Sequence, residues 1–390
     1  MEFHYSALET VVTGEPVADV LTVLADKLRA KRILLIASSS LATCTDQFAD
    51  LQEQLGSRYV GLFDQVSAHT PREDVLAAIQ TARKVDADLL VSLGGGSIID
   101  ASKVVQLGID QDIQSEEELL EYAQRADGTR GAKAGQYALF SGHSKIRQLA
   151  VPTTLSGAEF SNNAGVLDRS HSAKEGYRGV DLCPQCIIYD PTLTMQTPEW
   201  LWLSTAIRSL DHAIEGFCCV DSYPFLDGHF LHAMRLFAES LPRSKADSGD
   251  REARTLSQQA VWLACCGLGT VSHGASHGIG YVLGSLCGVP HGYTSCIMLP
   301  AVLRWNAEQF GERQKAIIAA LGIKEAHAGD AVRSLVDNLG LPTNLQAVGV
   351  EHSQLDEIAR RAIQHAVVLK NPRKLESAEQ VREILELAWD

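Results

Sequence analysis

The sequence lacks the features that mark nucleic-acid-binding, membrane and secreted proteins. Its 34 lysines and arginines face 48 acidic residues, which gives a net charge of -14, and no basic run offsets this balance. Binding of phosphate backbones requires clustered cationic side chains, so a nucleic-acid partner is disfavoured. No apolar stretch reaches the roughly 18 residues of a membrane helix. The opening segment Met1-Glu-Phe-His-Tyr5 has neither the basic nor the apolar region of a signal peptide. A cytoplasmic protein is therefore expected.

The nine cysteines form no recognisable disulfide or zinc framework. Cys183-Pro-Gln-Cys186 has the spacing of a zinc or redox pair, but a zinc ribbon requires a second such pair and the sequence has none. Cys218-Cys219 and Cys265-Cys266 lie in apolar helical segments, where thiols usually serve as small core side chains. We therefore expect structural cysteines in a reduced protein.

The order of the apolar segments predicts two domains of different class. A chain of 390 residues exceeds the usual size of one hydrophobic core. Strands and helices alternate up to about residue 107, which favours a parallel sheet covered by helices. Residues 110–147 break this alternation and are expected to form a surface excursion, with a helix over 111–121. Strands are predicted at 2–12, 32–37, 59–63, 88–93 and 146–151, and helices at 17–28, 71–85 and 97–107.

Beyond Pro191 the patterns are almost all helical, and Thr197-Pro198 is a helix start with a capping hydroxyl and an early proline. We therefore predict an α/β dinucleotide-binding domain over residues 1–192. An all-α catalytic domain is predicted over residues 193–390.

Two loops of the first domain have the composition of a phosphate site. Gly94-Gly95-Gly96-Ser97 follows a predicted strand and begins a helix, so its backbone amides can face an anion. The spacing matches neither the G-x-G-x-x-G pattern nor the P-loop. Thr153, Thr154 and Ser156 also follow a strand, and ligands bind at the carboxyl ends of such strands. A tight turn without ligand is the alternative for the glycine loop alone; together the loops favour a nucleotide.

The segment after the second strand bears on the choice of cofactor. A carboxylate there usually holds the adenosine ribose and repels a 2′-phosphate. Here the segment is Ala37-Ser38-Ser39-Ser40, without an acid, so Ser38 is a candidate cofactor contact. NADPH should be tolerated, and NADH is not excluded.

Two stretches of the second domain carry most of the chemistry-bearing side chains. Arg208, Asp211, His212 and Glu215 are three or four residues apart and share one helical face, as do His273 and His277. Pro290-His291-Gly292 follows shortly afterwards. Converging imidazoles make a metal site, a proton-transfer site, or both. The nine other histidines fit no constellation and are expected to be structural.

Together these motifs resemble the iron-containing alcohol dehydrogenase superfamily, and within it the maleylacetate reductase branch, over nearly the whole chain. The likeness rests on the following segments: Phe3-x-Tyr5 through Gly14, Gly94-Gly-Gly-Ser97 with Asp100 and Lys103, Pro152-Thr-Thr-x-x-Gly-x-Glu159, Tyr189-Asp-Pro-x-Leu193, His212-Ala-x-Glu215, His277 and Pro290-His291-Gly292. The resemblance implies a dehydroquinate synthase-like fold, a homodimer, NAD(P)H as cofactor with Asp100 among its contacts, and a small-molecule substrate.

The sequence departs from the family pattern at one position. In metal-dependent members an Asp lies four residues before the first of three ligating histidines, which correspond here to His212, His277 and His291. The Asp position is occupied by Arg208. A guanidinium offers no lone pair and repels a divalent cation. Maleylacetate reductases also lack this Asp and work without metal, so a metal-free site is implied.

These observations lead to one hypothesis and its rivals. Arg208 is expected to stabilise the negative charge that hydride transfer places on a substrate oxygen, and one of His212, His277 and His291 to return a proton. His273 is a weaker catalytic candidate. The implied reaction is reduction of maleylacetate to 3-oxoadipate, a step in aromatic compound catabolism. The rivals are a metal-dependent alcohol dehydrogenase that uses the three histidines with iron or zinc, a dehydroquinate-synthase-like lyase and a non-catalytic nucleotide-binding protein. A helix ion pair of Arg208 with Asp211 or Glu215 is the structural alternative for that residue.

Overall fold

The protein is described by a computed structural model over residues 6–44, 46–125, 128–136, 144–170 and 173–389, without the side chains of residues 44, 46 and 47. The expected strand at 2–12 and the motif residues Phe3 and Tyr5 lie partly or wholly outside this range, as do His4, His143 and His171. The chain divides into two compact units, Met1–Thr197 and Pro198–Asp390.

A six-stranded parallel sheet forms the centre of the first unit. Its strand order is β1-β9-β6-β4-β2-β3, and each pair of neighbours is parallel. Side chains of β2 alternate between two apolar cores, Leu34 and Ile36 in one and Leu35 and Ala37 in the other. This explains the continuous apolar run, because both faces of the sheet are covered by helices. The strands are β1 Thr10–Thr13, β2 Ile33–Ala37, β3 Tyr59–Phe63, β4 Leu89–Gly94, β6 Arg147–Pro152 and β9 Cys186–Tyr189.

Helices alternate with these strands, which confirms the predicted fold class of the first unit. In the segment 110–147, the helix is shorter than predicted. It covers Glu116–Leu120 rather than 111–121. Ser115 caps it by accepting from the amide of Glu118. The helices are α1 Val17–Leu28, α2 Ser39–Cys44, α3 Asp46–Leu55, α4 Arg72–Lys84, α5 Gly96–Asp110, α6 Glu116–Leu120 and α7 Pro191–Thr194.

A second, antiparallel sheet in the first unit was missed by the sequence analysis. Its strands are β5 Gln124–Arg125, β7 Asn163–Asp168 and β8 Ala173–Arg178, in the order β5-β8-β7. Buried and less buried residues alternate along β7 and β8, as expected for strands with one covered face. Two glycines and several charged side chains in these strands weaken the strand signal.

The second unit is helical, as predicted. Its helices surround an apolar core that includes Ile279, Leu283 and Met298. None of the helices in the described ranges is both long and apolar enough to span a membrane. The helices are α8 Glu199–Cys218, α9 Pro224–Ala246, α10 Arg251–Cys265, α11 Ala275–Cys287, α12 His291–Leu321, α13 Ala328–Asn338, α14 Leu355–Ala362 and α15 Ala378–Leu387.

The boundary between the units follows Thr197, five residues beyond the predicted boundary at 192. The predicted capping role of Thr197 was wrong. Pro198 is the N-cap of α8 and supplies no side-chain cap, while the Thr197 hydroxyl donates to the carbonyl of Thr153 at 2.7 Å. This bond ties the segment after α7 to the first unit, which explains the later boundary.

Candidate active site

The two predicted phosphate loops leave the same edge of the parallel sheet. Strands β4 and β6 are neighbours with Gly94 opposite Pro152, and the amide of Thr153 donates to the carbonyl of Gly94 at 3.0 Å. Ser38 follows β2 at the same edge, where its amide donates to the carbonyl of Leu93 at 3.1 Å. The parallel register therefore places all three predicted cofactor-contact segments at the carboxyl ends of the strands.

Glycines give the loops room to touch each other. A Cβ atom on Gly95 would lie 3.0 Å from Cγ2 of Thr154, and one on Gly96 would lie 3.1 Å from Oγ of Ser156. Gly95 is the N-cap of α5 and has no side chain that caps the helix. The first amides of this 15-residue helix are thus presented by bare backbone, as phosphate binding requires.

The carboxylate of Asp100 is held by the protein beside this cradle. It accepts from Nζ of Lys103 at 3.2 Å and from the amide of Gly165 in β7 at 3.0 Å. A Cβ on Gly165 would lie 3.9 Å from Nζ of Lys174 and 3.8 Å from Oδ2 of Asp100. Lys174 therefore adds a cation near the cradle. Lys174 was not among the predicted site residues, because β8 was not predicted.

Three imidazoles converge in the second unit. Nδ1 of His212 on α8 lies 3.0 Å from Nε2 of His273 and 2.8 Å from Nε2 of His277. His277 is fully buried, and the other two are partly buried. The spacing of His273 and His277 suggested this convergence, although His273 was expected to be the weaker candidate.

Glu215 fixes the orientation of His277. Its carboxylate accepts from the backbone amides of Gly274, Ser276 and His277 at 2.8–3.3 Å, and it lies 2.8 Å from Nδ1 of His277. These amides belong to the first turn of α11, where a carboxylate is favoured. The sequence placed Glu215 near His212 but gave no sign that it holds the second histidine-bearing stretch.

Arg208 is buried with 8% of its surface exposed, yet no carboxylate lies within ion-pair distance of it in the described part of the chain. Its Nη1 donates to the Ser295 hydroxyl at 3.1 Å, and that hydroxyl donates to Oδ2 of Asp211 at 2.7 Å. The helix ion pair that was the structural alternative for Arg208 is therefore absent among these residues. A guanidinium has five N–H donors, of which the described protein atoms use one.

Tyr281 contacts both Arg208 and His291. The guanidinium carbon of Arg208 is 5.4 Å from the centroid of the Tyr281 ring. The same ring contacts His291 edge-on at 6.3 Å and His365 at 5.4 Å between centroids. His291 is thus placed beside Tyr281 rather than among the three converging nitrogens. Tyr281 was missed, although its position one helical turn beyond His277 is a usable signal.

Burial sets the protonation of the cluster. It lowers the pKa of His212 and His277 well below the usual value, with the cation of Arg208 contributing at both, and it lowers that of His273 to about 3. Burial also raises the pKa of Asp211 and Glu215. The three imidazoles are therefore neutral near pH 7, and Arg208 is the fixed positive charge beside them.

Glu215, His277 and His212 can hold their protons in two arrangements. With Glu215 ionised, His277 carries its proton on Nδ1, and Nε2 accepts from Nδ1–H of His212. With Glu215 protonated, His277 carries the proton on Nε2 and donates to His212. Neutral imidazoles hold one N–H each, so a shift along Glu215, His277 and His212 moves a proton without leaving a buried charge on a ring.

An α/β unit with a glycine-rich loop, followed by a helical unit with converging histidines, is the architecture of a two-domain oxidoreductase. The family model for iron-containing alcohol dehydrogenase matches residues 9–191, and that for the C-terminal part of the Fe-containing alcohol dehydrogenase family matches residues 202–389. The chain belongs to the iron-containing alcohol dehydrogenase family and is an oxidoreductase, which confirms the resemblance seen in its motifs.

Similar proteins cover nearly the full length of the chain. Dehydrogenase FUM7 of Gibberella moniliformis is 30% identical over 93% of this chain and 92% of its own length. Maleylacetate reductase 1 of Rhodococcus opacus is 27% identical over 94% of this chain and 90% of its own length. The crystal structure of maleylacetate reductase from Agrobacterium tumefaciens superposes with a TM-score of 0.83 at 25% identity, covering 100% of this chain and 98% of that one.

Proposed function

We propose that this protein is an NAD(P)H-dependent reductase of a small, carboxylated oxo or enone compound, with maleylacetate as the first substrate to test. We further propose that it works without metal and that Arg208 stabilises the negative charge formed on the substrate. The observation that carries the proposal is a buried guanidinium without a carboxylate partner in the described ranges, placed beside three neutral imidazoles.

The residues of the first unit suit a dinucleotide. The uncapped amides at Gly95 and Gly96 would hold its diphosphate, and Lys174 would add charge beside them. Ser38 leaves room for either NADH or NADPH, because no acid follows β2 in the segment 37–40. A sulfoacetaldehyde reductase of Bifidobacterium kashiwanohense, solved in complex with NAD+, shares the fold at 22% identity with a TM-score of 0.86. The nicotinamide supplies the hydride when it is bound.

Arg208 provides the electrostatic contribution. Its unused N–H donors can bind a substrate carboxylate, or the oxygen that becomes an enolate or alkoxide when hydride adds to the conjugated system. Donors that are already oriented cost no reorganisation as the charge develops, and removal of one such donor typically slows turnover about 10²–10³-fold. Tyr281 supports the orientation through its cation–π contact.

The histidine cluster provides the proton. Reduction of a C=C or C=O bond consumes one hydride and one proton, so the electrophilic carbon takes the hydride and the α-carbon or oxygen takes the proton. His212 is the candidate donor, because it ends the chain that begins at Glu215 and passes through His277.

A divalent metal fits these residues poorly. His212 and His277 nitrogens lie 2.8 Å apart, whereas nitrogens on one tetrahedral zinc are about 3.3 Å apart given Zn–N bonds near 2.05 Å. Arg208 repels a cation at this place. The Glu215 carboxylate is already engaged by three amides. No step is therefore assigned to a metal.

The metal-dependent alternative is favoured by one observation. Nitrogens of His212, His273 and His277 lie within 4.8 Å of one another and are a possible ligand set. This set differs from the one implied by the resemblance, since His273 takes the place of His291.

The test is a substrate panel on metal-analysed protein. Oxidation of NADH and of NADPH is followed with maleylacetate, related oxo and enone acids, and simple aldehydes and alcohols, before and after dialysis against a chelator. We expect turnover of a carboxylated substrate that survives chelation. Activity restricted to alcohols, or lost with a stoichiometric metal, would support the metal-dependent alternative.

A further inference from the structure

A cavity lies in the first unit, beside the antiparallel sheet. Its volume is about 350 Å³, and Gln124 of β5, Gly176 and Arg178 of β8, Arg130 and Asn162 line it. Ligand pockets usually measure about 300–1,000 Å³. The cavity is therefore large enough for phosphate or a small dicarboxylate.

The lining has an unbalanced positive charge. Among the described residues, Arg130 and Arg178 line it and no aspartate or glutamate does, and neither arginine forms an ion pair within these ranges. This is unusual in a chain with a net charge of -14. Two acids of the adjoining segments are engaged elsewhere, since Glu121 pairs with Lys133 at 2.5 Å and Glu175 pairs with Arg72 at 2.7 Å.

A cavity of similar size in the second unit differs in the charges of its lining. It measures about 370 Å³ and is also lined by two arginines, Arg304 and Arg333, but Asp330 and Asp337 line it as well. Nε of Arg304 donates to Asp330 at 2.7 Å. That cavity supplies its own counterions, whereas the described lining at Arg130 and Arg178 includes none.

Neutral groups complete the lining of the cavity at Arg130 and Arg178. The side chains of Gln124 and Asn162 offer amide donors. A Cβ on Gly176 would meet one atom within 4 Å, the carbonyl oxygen of Gln124 at 3.6 Å. The glycine therefore leaves open a volume that a larger side chain would fill.

The cavity lies on the face of β8 that also carries Lys174. Side chains alternate along a strand, so Lys174, Gly176 and Arg178 point to the same face. Lys174 lies beside Asp100 near the phosphate cradle. Arg178 lies four positions further along the strand, a distance of about 13 Å.

We propose that this cavity is a binding site for a small dianion, held between the guanidinium groups of Arg130 and Arg178. Arginine binds carboxylate and phosphate through paired N–H donors, so the shared chemistry is a planar or tetrahedral oxyanion with two negative charges. The site is distinct from Arg208 and does not depend on the proposed reaction.

The test is calorimetric titration of the full-length protein at low ionic strength, with inorganic phosphate in one arm and succinate in the other. Titrations use wild-type and Arg208→Ala protein, so that an anion held at Arg208 is counted separately. We expect one of the two anions to bind in both proteins, and the responding arm identifies the source of the dianion.

Three variants locate the binding. Arg130→Gln with Arg178→Gln should weaken it about tenfold per lost guanidinium, which corresponds to about 1.4 kcal/mol each. Gly176→Val should weaken it without a change of charge. Arg304→Gln, at the cavity with its own counterions, should leave it unchanged. The proposal is overturned if neither anion binds, or if the double variant and Gly176→Val bind as the wild type does. A failure of the reductase assay would leave these results unaffected.

Discussion

Two arginines of this protein are buried to almost the same extent in opposite surroundings. Arg72 in the first unit is 7% exposed and Arg208 in the second is 8% exposed. Arg72 contacts the carboxylates of Glu116, Asp168 and Glu175. Burial alone would lower the pKa of Arg72, but the hydrogen bonds that its guanidinium donates to Glu175 and Asp168 raise it. Arg208 has a serine hydroxyl and an aromatic ring.

The difference separates a structural cation from a functional one. Arg72 joins α4 to α6 and to the antiparallel sheet, and its charge is neutralised within the fold. A buried cation without a counterion is costly to fold, so the donors of Arg208 are expected to be used by a ligand. Each prediction below tests one side of this comparison.

Arg72→Leu should have the largest effect on stability. It leaves the buried carboxylates of Asp168 and Glu175 without their cation, and breaking a buried pair in this way typically costs about 3–5 kcal/mol. The measurement is urea unfolding by circular dichroism, with amide hydrogen exchange in β7 and β8 to locate the loss. Arg169→Leu, which breaks an exposed pair with Glu73, is the control and should cost less than about 1 kcal/mol. Equal losses in both variants would refute a structural role specific to Arg72.

Glu215→Gln should slow turnover about a hundredfold, because an amide cannot exchange a proton with His277. Glu215 acts through His277, so the informative readout is the pH profile. We expect kcat to fall and lose one ionisation, while KM for the substrate changes little. Glu252→Gln, on the surface of α10, is the matched control. A uniform loss of active protein with an unaltered pH profile would indicate that Glu215 only caps α11.

The histidine cluster should make stability depend on pH. Burial lowers the folded-state pKa of His273 to about 3 from 6.5. The contribution of His273 to the free energy of unfolding is therefore present above pH 6.5. It is lost as pH falls towards 3, because the unfolded chain binds the proton first. The slope is about 1.4 kcal/mol per pH unit for one group. Asp211 and Glu215, with raised pKa values, act in the opposite sense.

The comparison of wild type with His273→Asn tests this contribution, together with the effect of His273 on the pKa values of His212 and His277. Urea unfolding between pH 6.5 and 4 should show a shallower loss of stability in the variant. Parallel curves for the two proteins would mean that His273 titrates in the folded protein as it does in the unfolded chain.

Substitutions of Tyr281 should have the smallest effect on the kinetic constants. Tyr281→Phe keeps the ring over Arg208, and Tyr281→Leu removes it, which costs about 0.5–1 kcal/mol of cation–π interaction. We expect KM to rise about two- to fivefold in Tyr281→Leu and to change less in Tyr281→Phe. If Tyr281→Phe alone abolishes turnover, the hydroxyl has a catalytic role that this account does not include.

Regular, locally encoded elements were predictable from the sequence. Strand β3 was predicted at 59–63 and α1 at 17–28, and both occur with these bounds, because apolar periodicity and the flanking breakers are local signals. The glycine loop was recognisable for the same reason. The β7–β8 hairpin was missed because its glycines and charges obscure the alternation.

The sequence predicted which residues form the candidate site, but not which residues they contact. The helical period placed Arg208 near Asp211 and Glu215, which made a local ion pair plausible. The structure links Arg208 to Ser295, 87 residues away. It also links Glu215 to Gly274 at the start of α11, 59 residues away. Such long-range contacts depend on tertiary packing and leave no local pattern.

The most direct test of the account is Arg208→Ala, with kcat/KM and Tm measured on the same preparation. Arg208 has no carboxylate partner among the described residues, so its removal should leave Tm unchanged or raise it, while kcat/KM falls about 10²–10³-fold. Arg304→Ala serves as the control for loss of an arginine from the second unit. Unchanged turnover, or a fall in Tm that accounts for the lost activity, would contradict the claim that Arg208 is the electrophilic group of this site.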